Sequence, residues 1–454
     1  MKIKKIKRVT LLVGVVCLAM VFSGCIQKKQ KSIPKVELEV WGVFDDSDML
    51  KEANTRFSGM NPYVSGVNYK KISSNITDFE EQFVNAMANG TGPDIIYFKN
   101  SWLPKHGDKI VPMPNSGQEL ATFKKQFVDV AYNDFVYKDN IYAKPLYCDT
   151  LALYYNNDLL NQVGIVSPPK TWDQLKKDVE LLTKIDDYGN IKQSGIALGR
   201  SENPGAVNRA GDIIMLLMLQ GGAVMNNGNS LEADFSNSKF PNVNPGTGAL
   251  KFFTSFANGA SPYYSWNTRQ DYSVDSFRYG RTAMMLNYSY WHDRLKRSDP
   301  KLDFNIAPAP QTSLDSNNTV NFASYWGLAV TKNRRLPAEA NYGQEERVKQ
   351  AWNYIHFMTN TAQQNGGYDA MATYLENTHK PPVRRDLIET MKNDVAMGVF
   401  AKQALTAKTW RQVDNNAIDK IFKEMIDIVN RGAMAVGEAV TTAEERVNAL
   451  VRVK

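Results

Sequence analysis

Apolar and polar residues follow two different periods along this chain, which predicts a mixture of strands and helices. Residues 36–41 alternate between apolar and polar side chains, the pattern of a strand with one buried face. Residues 93–98 form a short, nearly unbroken apolar run between two helical segments, which favours a strand buried on both faces of a parallel sheet. Apolar residues spaced three and four apart indicate a helix that buries Trp172, Leu175, Val179 and Leu182.

Capping signals place the helix starts. Residues 45–48 (Asp-Asp-Ser-Asp) offer N-cap side chains to a helix over about residues 49–58. Thr77 with Glu80, and Thr171 with Gln174, have the spacing of a capping box. Residues 213–219 form a short core helix, and helices over 348–361 and 417–431 dominate the last hundred residues. The predicted fold class is therefore α/β, with open sheets and a helical C-terminal region.

The first 35 residues have the pattern of an export signal and a tether. Cationic residues 2–8 precede an apolar run over residues 9–22, and Ser23-Gly24-Cys25 follows, so residues 1–24 are a predicted signal peptide. Fourteen apolar residues are fewer than the ~20 of a transmembrane helix. The Ser-Gly-Cys ending resembles the bacterial lipobox, although Phe22 stands where leucine is usual. That resemblance implies that Cys25 is acylated, with palmitate among its lipids, and that residues 25–35 are a lipid-anchored tether.

Composition and charge exclude several classes of protein. The chain has 454 residues, of which 43% are hydrophobic and 22% charged, which excludes a disordered chain and a polytopic membrane protein. The net charge is +7, but eight cationic residues precede residue 32, so the remaining chain carries about −1. A nucleic-acid partner is therefore not predicted.

The residue types that catalysis and metal binding need are not arranged in known motifs. His106, His292, His356 and His379 lack zinc-site spacing, and no nucleophile elbow or phosphate loop occurs. The three cysteines support no disulfide framework, and Cys148 is predicted to be a small buried residue. No catalytic residue, metal site or cofactor is therefore predicted.

Three alternatives stay open at this point. Residues 45–48 could hold Ca²⁺ instead of capping a helix, although they lack a calcium-loop spacing. Residues 263–266, which include a Tyr-Tyr pair, suit either a cleft loop or an iron-binding tyrosine pair. Asp45 and Asp149 could form a carboxylate pair for glycoside hydrolysis, because their separation depends on the fold.

Several motifs together resemble one family. They are residues 90–95 (Gly-Thr-Gly-Pro-Asp-Ile), 139–145 (Asp-Asn-Ile-Tyr-Ala-Lys-Pro), 151–159 (Leu-Ala-Leu-Tyr-Tyr-Asn-Asn-Asp-Leu), 168–175 (Pro-Pro-Lys-Thr-Trp-Asp-Gln-Leu), 277–284 (Phe-Arg-Tyr-Gly-Arg-Thr-Ala-Met), 306–310 (Ile-Ala-Pro-Ala-Pro), 326–330 (Trp-Gly-Leu-Ala-Val), and 437–440 with 447–450. Their order across residues 36–450 resembles the extracellular solute-binding proteins of bacterial ABC importers, in the branch that includes maltose-binding proteins.

The resemblance implies two α/β lobes around a central cleft, with three crossings of the chain between them. Mapped onto this sequence, the crossings lie near residues 147–150, 281–284 and 323–327. Lobe 1 is then residues 36–148 with 283–325, and lobe 2 is residues 150–281 with 327–454. In open α/β sheets the loops at the carboxyl ends of strands bind ligands, so both lobes are expected to direct these loops into the cleft.

Aromatic, Asp and Asn residues at strand ends and crossings are the candidate ligand contacts. Aromatic rings stack on the C–H faces of sugars, and carboxylates and amides bind hydroxyl groups with good discrimination. For Asp149 and Trp410 the candidacy also rests on the resemblance. The candidates are Trp41, Phe44, Asp45, Asn100, Trp102, Tyr147, Asp149, Asn287, Tyr288, Trp291, Tyr325, Trp326 and Trp410.

These observations predict a monomeric receptor on the extracytoplasmic face of the bacterial cell membrane, held there by a lipid anchor. It would close around a small polar solute, expected to be a carbohydrate, and deliver it to the permease subunits of an ABC importer. The alternatives are a lipid-anchored glycoside hydrolase, and a sensor or adhesin that binds without transport.

Overall fold

The computed structural model describes residues 35–227, 230–237, 244–315, 318–332 and 334–452. The predicted signal peptide, Cys25 and nearly all of the predicted tether lie outside the described residues. Fifteen strands are assigned within these ranges. They are β1 Val36–Val43, β2 Val64–Ser73, β3 Ile95–Lys99, β4 Ile110–Val111, β5 Val136–Tyr137, β6 Asn140–Ile141, β7 Lys144–Pro145, β8 Ala152–Asn156, β9 Lys184–Ile185, β10 Ile191–Ile196, β11 Thr282–Asn287, β12 Phe304–Pro308, β13 Asn321–Phe322, β14 Trp326–Thr331 and β15 Ala407–Lys408.

Seventeen α-helices and two short 3-10 helices, Ser47–Leu50 and Gly107–Lys109, are assigned in the same ranges. The α-helices are α1 Lys51–Met60, α2 Ile76–Asn89, α3 Leu103–His106, α4 Ser116–Gln126, α5 Asp129–Phe135, α6 Asn157–Gln162, α7 Trp172–Leu182, α8 Ala210–Gln220, α9 Pro245–Ser255, α10 Ser273–Arg278, α11 Tyr290–Ser298, α12 Gln344–Thr359, α13 Ala370–Thr378, α14 Arg385–Met391, α15 Gly398–Ala404, α16 Asn415–Asn430 and α17 Val436–Arg452. The predicted α/β class is confirmed.

The chain forms two main sheets. The first has the strand order β2-β1-β3-β14-β4, with β7 also paired to β14. The second has the order β12-β8-β11-β10-β9. The prediction that residues 93–98 form a buried strand is confirmed, because Ile95, Ile96 and Phe98 are fully buried. The prediction of a parallel sheet holds for the pairing of β3 with β1 but was wrong for its pairing with β14, which is antiparallel.

Two helix starts differ from the predicted caps. Asn75, not Thr77, caps α2 and accepts hydrogen bonds from the N–H groups of Thr77 and Asp78. The first regular helix after β1 begins at Lys51, and the preceding Asp46 makes no side-chain cap. The predicted cap of α7 is confirmed, because the Thr171 hydroxyl accepts a hydrogen bond from the N–H of Gln174.

Each main sheet belongs to its own hydrophobic core. The first core includes Val40, Ile96 and Leu146, and also residues of β14, α12 and α13. The second core includes residues of β8, β11, α8 and α16. We call residues 35–148 and 323–388 the first lobe, and the described residues of 151–322 and 410–452 the second lobe. The chain therefore folds as two packed bodies with a junction between them.

Two predicted segments lie in the opposite lobe from the one expected. Residues 283–325 were assigned to lobe 1, but β11 and β12 pair with β8 in the second sheet. Residues 327 to about 388 were assigned to lobe 2, but β14 pairs with β3 and α12 packs in the first core. The expected crossing at residues 281–284 was wrong, because Phe277, Ala283 and Met284 all belong to the second core.

The chain passes between the cores at three places. Core membership changes between Cys148 and Leu151, between Phe322 and Ala323, and again after Ile388 as the chain runs to Trp410. β13 and β15 pair beside each other at two of these places, and Thr150 forms a bridge with Ala323. The three crossings therefore lie next to one another, as is expected of a hinge between two lobes.

Candidate functional site

A cavity of about 750 Å³ lies between the two lobes. This volume is within the range of small-molecule sites. Both lobes line it, the first with loops after β1 and β3 and the second with the starts of α8, α11 and α16. Its aromatic side chains are Phe44, Tyr147, Tyr288, Tyr290, Phe322, Trp326 and Trp410.

The cavity brings together most of the candidate residues that the sequence indicated. They come from strand ends and crossings of both lobes, which are far apart in the chain. The candidates that line it are Phe44, Asp45, Asn100, Tyr147, Asp149, Tyr288, Trp326 and Trp410. Whether each of them contacts a solute stays a prediction.

The remaining candidates do not line the cavity, because their side chains contact neighbouring residues of the protein instead. Trp102 is fully buried and stacks against Phe79 and Phe83 in the first core. Tyr325 is also fully buried, and its hydroxyl donates a hydrogen bond to Asp134. These two aromatic residues therefore belong to the first core.

Three further candidates are also absent from the lining of the cavity. The indole N–H of Trp41 donates to Glu39, on the same face of β1. Asn287 is fully buried at the end of β11, where its side-chain oxygen accepts from the backbone N–H of Tyr288. Trp291 packs against the second core next to Tyr290.

Asp45 belongs to a charged cluster in the first lobe. Its carboxylate accepts hydrogen bonds from the Lys380 ammonium group and from the Tyr374 hydroxyl, the latter at 2.7 Å. The Lys380 Nζ also lies 4.8 Å from the centre of the Tyr147 ring. Burial lowers the pKa of Lys380, and the Asp45 carboxylate opposes that shift. Because Asp45 is bound to Lys380, it does not cap a helix as the sequence suggested.

Asp149 lies at the first crossing and connects it to the second lobe. Its carboxylate accepts hydrogen bonds from the Ser289 backbone N–H at 3.0 Å and the Ser289 hydroxyl at 2.8 Å, and from the Thr150 N–H at 2.9 Å. Burial nevertheless raises the pKa of Asp149 to about 7, although these hydrogen bonds and Arg209 act in the opposite direction. Desolvation is therefore the largest influence on this carboxylate at the first crossing.

Arg209 lies in the wall formed by the second lobe. Its guanidinium carbon is 5.2 Å from the centre of the Tyr288 ring and 6.0 Å from that of Tyr290, which supports cation–π attraction. The Tyr288 hydroxyl donates to Asp212 at 2.8 Å, and Arg209 lies 3.8 Å from the same carboxylate. This wall therefore presents two aromatic rings and one cation to the cavity.

Sequence reasoning missed several residues that line the cavity, among them Lys99, Arg209, Tyr290 and Lys380. Lys99 is the last residue of β3, so the strand-end rule that selected Asn100 could have found it. Tyr290 lies beside the chosen Tyr288. No local signal indicates Arg209 or Lys380, because each lies in a loop whose position depends on long-range packing.

Polar contacts also join the lobes beside the cavity. The Lys105 ammonium group lies 2.7 Å from Glu80 in its own lobe and 2.7 Å from Asp414 at the start of α16. Asn416 donates to Glu80 at 2.8 Å across the same gap. At another edge, His379 of the first lobe lies 2.6 Å from Asp293 of the second. These contacts link the two lobes at the edges of the cavity.

The open alternatives from the sequence have little support in the described residues. The Tyr264 hydroxyl accepts from Asn267, Tyr263 packs on Phe256, and neither lines the cavity. No group of three His, Cys, Asp or Glu side chains in the described ranges is arranged to hold a metal ion. Cys148 is fully buried, as predicted. Within the described part of the chain, no helix has the length and apolar content that a membrane span requires.

Comparison with protein families identifies the chain. Residues 67–365 match the model of the family described as bacterial extracellular solute-binding protein. The chain belongs to this family. An extracellular location and solute binding follow from membership, and the relatives of this solute-binding protein are binding proteins, not enzymes.

Solved structures confirm the two-lobed fold of this solute-binding protein. An ABC-transporter solute-binding protein from Thermotoga lettingae TMO, bound with alpha-D-tagatose, is 19% identical, with a TM-score of 0.68 over 91% of this chain and 99% of that one. The sugar-binding protein MalE from Xanthomonas citri is also 19% identical, with a TM-score of 0.68 over 92% and 98%. The maltotriose-binding protein of Pyrococcus abyssi is 26% identical over 252 residues, covering 55% of this chain and 47% of the other.

Proposed function

We propose that this protein captures a carbohydrate in the cavity between its lobes and delivers it to the permease of an ABC importer. The observation that carries the proposal is the wall of the cavity, where aromatic rings from both lobes lie next to amide, hydroxyl and charged groups. Rings such as Tyr290 and Trp326 can stack on the apolar face of a sugar, while the side chain of Ser324 can bind its hydroxyl groups. The family and the sugar-binding relatives support the same class of solute.

Closure of the hinge is the proposed mechanism. A solute that touches Tyr290 in the second lobe and Trp326 in the first makes all of its contacts only when the lobes are shut. It therefore shifts an open–closed equilibrium by its higher affinity for the closed state. The permease would then recognise the paired surfaces of the closed lobes. No cofactor takes part in this proposal.

The leader supplies the proposed membrane attachment. Cleavage before Cys25, followed by acylation of that cysteine, would tether a monomer to the extracytoplasmic face of the membrane. Metabolic labelling with a palmitate analogue, with Cys25→Ser as the control, tests this step. Label that persists in the Cys25→Ser protein would contradict it.

A glycoside hydrolase is the less favoured function, because the two carboxylates considered for it are occupied. Asp45 is bound by Lys380, and Asp149 accepts three hydrogen bonds from Ser289 and Thr150. A general acid and a nucleophile both need access to the scissile bond. We therefore propose binding without turnover. A sensor or adhesin would bind in the same way but would not support uptake.

A thermal-shift screen of mono- and oligosaccharides, with peptides and polyols as controls, tests the proposal. A true solute at a hundred times its dissociation constant adds about 2.7 kcal/mol to the free energy of unfolding. Tyr290→Leu should weaken binding at least tenfold. Tyr279→Leu, which changes an exposed tyrosine of the same lobe outside the cavity, should leave binding unchanged.

Two results would contradict the proposal. One is the absence of any saccharide that stabilises the protein. The other is the release of cleaved products from labelled oligosaccharides. Uptake of the identified sugar by cells that lack the gene would favour a sensor or an adhesin over a transport receptor.

A further inference from the structure

The carboxylates that line the cavity share one property, which is that each already has a donor or cation within the protein. These pairs are Asp45 with Lys380, Asp46 with Lys71, Asp149 with Ser289, Asp212 with Tyr288, Asp293 with His379 and Asp419 with Lys423. Asp45, Asp46 and Asp419 are therefore paired with lysine side chains, whereas Asp149 and Asp212 accept hydrogen bonds from neutral hydroxyl groups.

The cations of the cavity are less fully paired. Lys99 forms no ion pair with a carboxylate among the described residues, although its side chain is partly buried at the end of β3. Arg209 Nε donates to the Tyr290 hydroxyl at 3.4 Å, its guanidinium group lies 3.8 Å from Asp212 without a hydrogen bond to it, and its side chain is 30% exposed. Arg294 and Arg297 also line the cavity, but both are exposed at its rim, where solvent screens them.

Lys99 and Arg209 come from different lobes, so closure brings two positive charges towards each other. Burial lowers the pKa of the Lys99 ammonium group, and the charge of Arg209 lowers it further. Asp212, Asp419 and Glu80 act on Lys99 in the opposite direction. Asp419 and Glu80 are themselves paired with Lys423 and Lys105 at 2.6 and 2.7 Å, so Asp212, whose partner Tyr288 is neutral, is the one carboxylate of the three that is left to offset both cations. An anion placed between the two cations would remove the repulsion that opposes closure.

Helix ends add to the positive potential of this region. Arg209 is the N-cap residue of α8, and its side chain makes no capping hydrogen bond. Asn415 and Asn416, the first residues of α16, line the same cavity. The N-terminal ends of helices carry partial positive charge and favour anions. They support the pair of cations but would not define a site alone.

We propose that the solute is an acidic saccharide, whose carboxylate is bound between Lys99 of the first lobe and Arg209 of the second. This inference rests on the proposed function and specifies its substrate class. The aromatic rings would stack on the sugar, and the two cations would select uronates over neutral sugars of the same shape. The carboxylate would also act as the bridge that favours the closed state.

Calorimetric titration with matched ligands tests the inference. The probes are the di- and trimers of galacturonate, glucuronate and mannuronate, together with the corresponding neutral oligosaccharides and the methyl esters of the uronates. The free acid should bind at least tenfold more tightly than its methyl ester, because a charge-assisted hydrogen bond is lost on esterification. Its affinity should also fall with added salt, whereas neutral ligands should show little change.

Two substitutions test whether Lys99 and Arg209 bind the carboxylate of the solute. Lys99→Met and Arg209→Gln should each weaken uronate binding tenfold or more and change the binding of the methyl ester less than twofold. Arg281→Gln is the matched control, because this exposed arginine of the second lobe does not line the cavity, and it should change neither. Circular dichroism and melting temperatures show whether each variant is folded, and if one is not, the other carries the test.

The outcomes separate this inference from the proposed function. If neutral oligosaccharides bind and uronates do not bind better than their esters, the acidic-saccharide inference is overturned while carbohydrate binding stands. If no saccharide of either class binds, the proposed function is overturned. If uronates are preferred but neither variant changes that preference, the assignment to Lys99 and Arg209 is overturned.

Discussion

A single carboxylate, that of Asp149, lies where the first crossing meets the second lobe. It has three hydrogen-bond donors, yet burial raises its pKa to about 7. The folded protein therefore binds this proton more tightly than the unfolded chain does, because an Asp side chain in the unfolded chain has a pKa of about 3.9. A group with a raised pKa stabilises the fold fully below its unfolded value, and that contribution is lost as the pH rises towards 7.

We predict that Asp149→Asn will flatten the pH dependence of stability between pH 4 and pH 7. The wild-type protein should lose up to ~4 kcal/mol from this group across that range, because one pKa unit is worth about 1.4 kcal/mol. The Asn side chain does not titrate, so the melting temperature of the Asp149→Asn protein should fall less over the same pH range. Parallel slopes for the two proteins in differential scanning calorimetry would contradict the raised pKa.

Single residues also show how far the sequence could define the site. Position at a strand end selected both Tyr147, which lines the cavity, and Trp102, which does not. The difference comes from Phe79 and Phe83 of α2, whose rings stack on Trp102 from positions 23 and 19 residues earlier in the chain. Sequence position can indicate which end of the sheet a side chain lies at. The direction in which that side chain points depends on neighbouring residues that only the tertiary structure brings close to it.

At the scale of helices and strands, local signals were sufficient where the side chains of one segment determine its structure. The apolar run that forms β3 and the Thr171 cap of α7 are of this kind. The partner of a strand is not a local property. β11 is apolar enough to lie in either sheet, and only its pairing with β8 and β10 places it in the second lobe. For this reason the sequence misplaced one crossing and two segments.

A polar contact joins α2 of the first lobe to the start of α16 in the second. Lys105 lies between Glu80 and Asp414 and does not line the cavity. We predict that Lys105→Met will weaken solute binding two- to tenfold, because it removes an interlobe ion pair worth about 1 kcal/mol in the closed state only. Isothermal titration calorimetry measures the affinity, and small-angle scattering measures the open fraction.

Arg446→Met is the matched control for this prediction. Arg446 pairs with Glu424 at 2.5 Å inside the second lobe, so its loss removes an ion pair without touching the junction. The control should leave both affinity and scattering profile unchanged. Equal effects of the two substitutions would show that the Lys105 contact does not act through closure.

At the scale of the whole molecule, the described residues form two hydrophobic cores joined by three neighbouring crossings and by polar contacts. Most of the burial that stabilises each lobe is inside that lobe, since the residues that face the junction are mainly polar or line a cavity of about 750 Å³. Bodies joined in this way can move against each other unless a ligand bridges them.

The same division predicts how the protein unfolds. Without solute, the lobes should melt as two partly independent units, so the calorimetric enthalpy should exceed the van't Hoff enthalpy. A solute held by Arg209 in one lobe and Lys99 in the other binds only when both lobes are folded. Saturating solute should therefore bring the ratio of the calorimetric to the van't Hoff enthalpy towards one. It should also raise the melting temperature of the less stable lobe more than that of the other lobe. The contrary result is an enthalpy ratio of one without solute that does not change when solute is added. It would mean that the junction itself couples the two cores. Ligand-driven closure would then lose its physical basis.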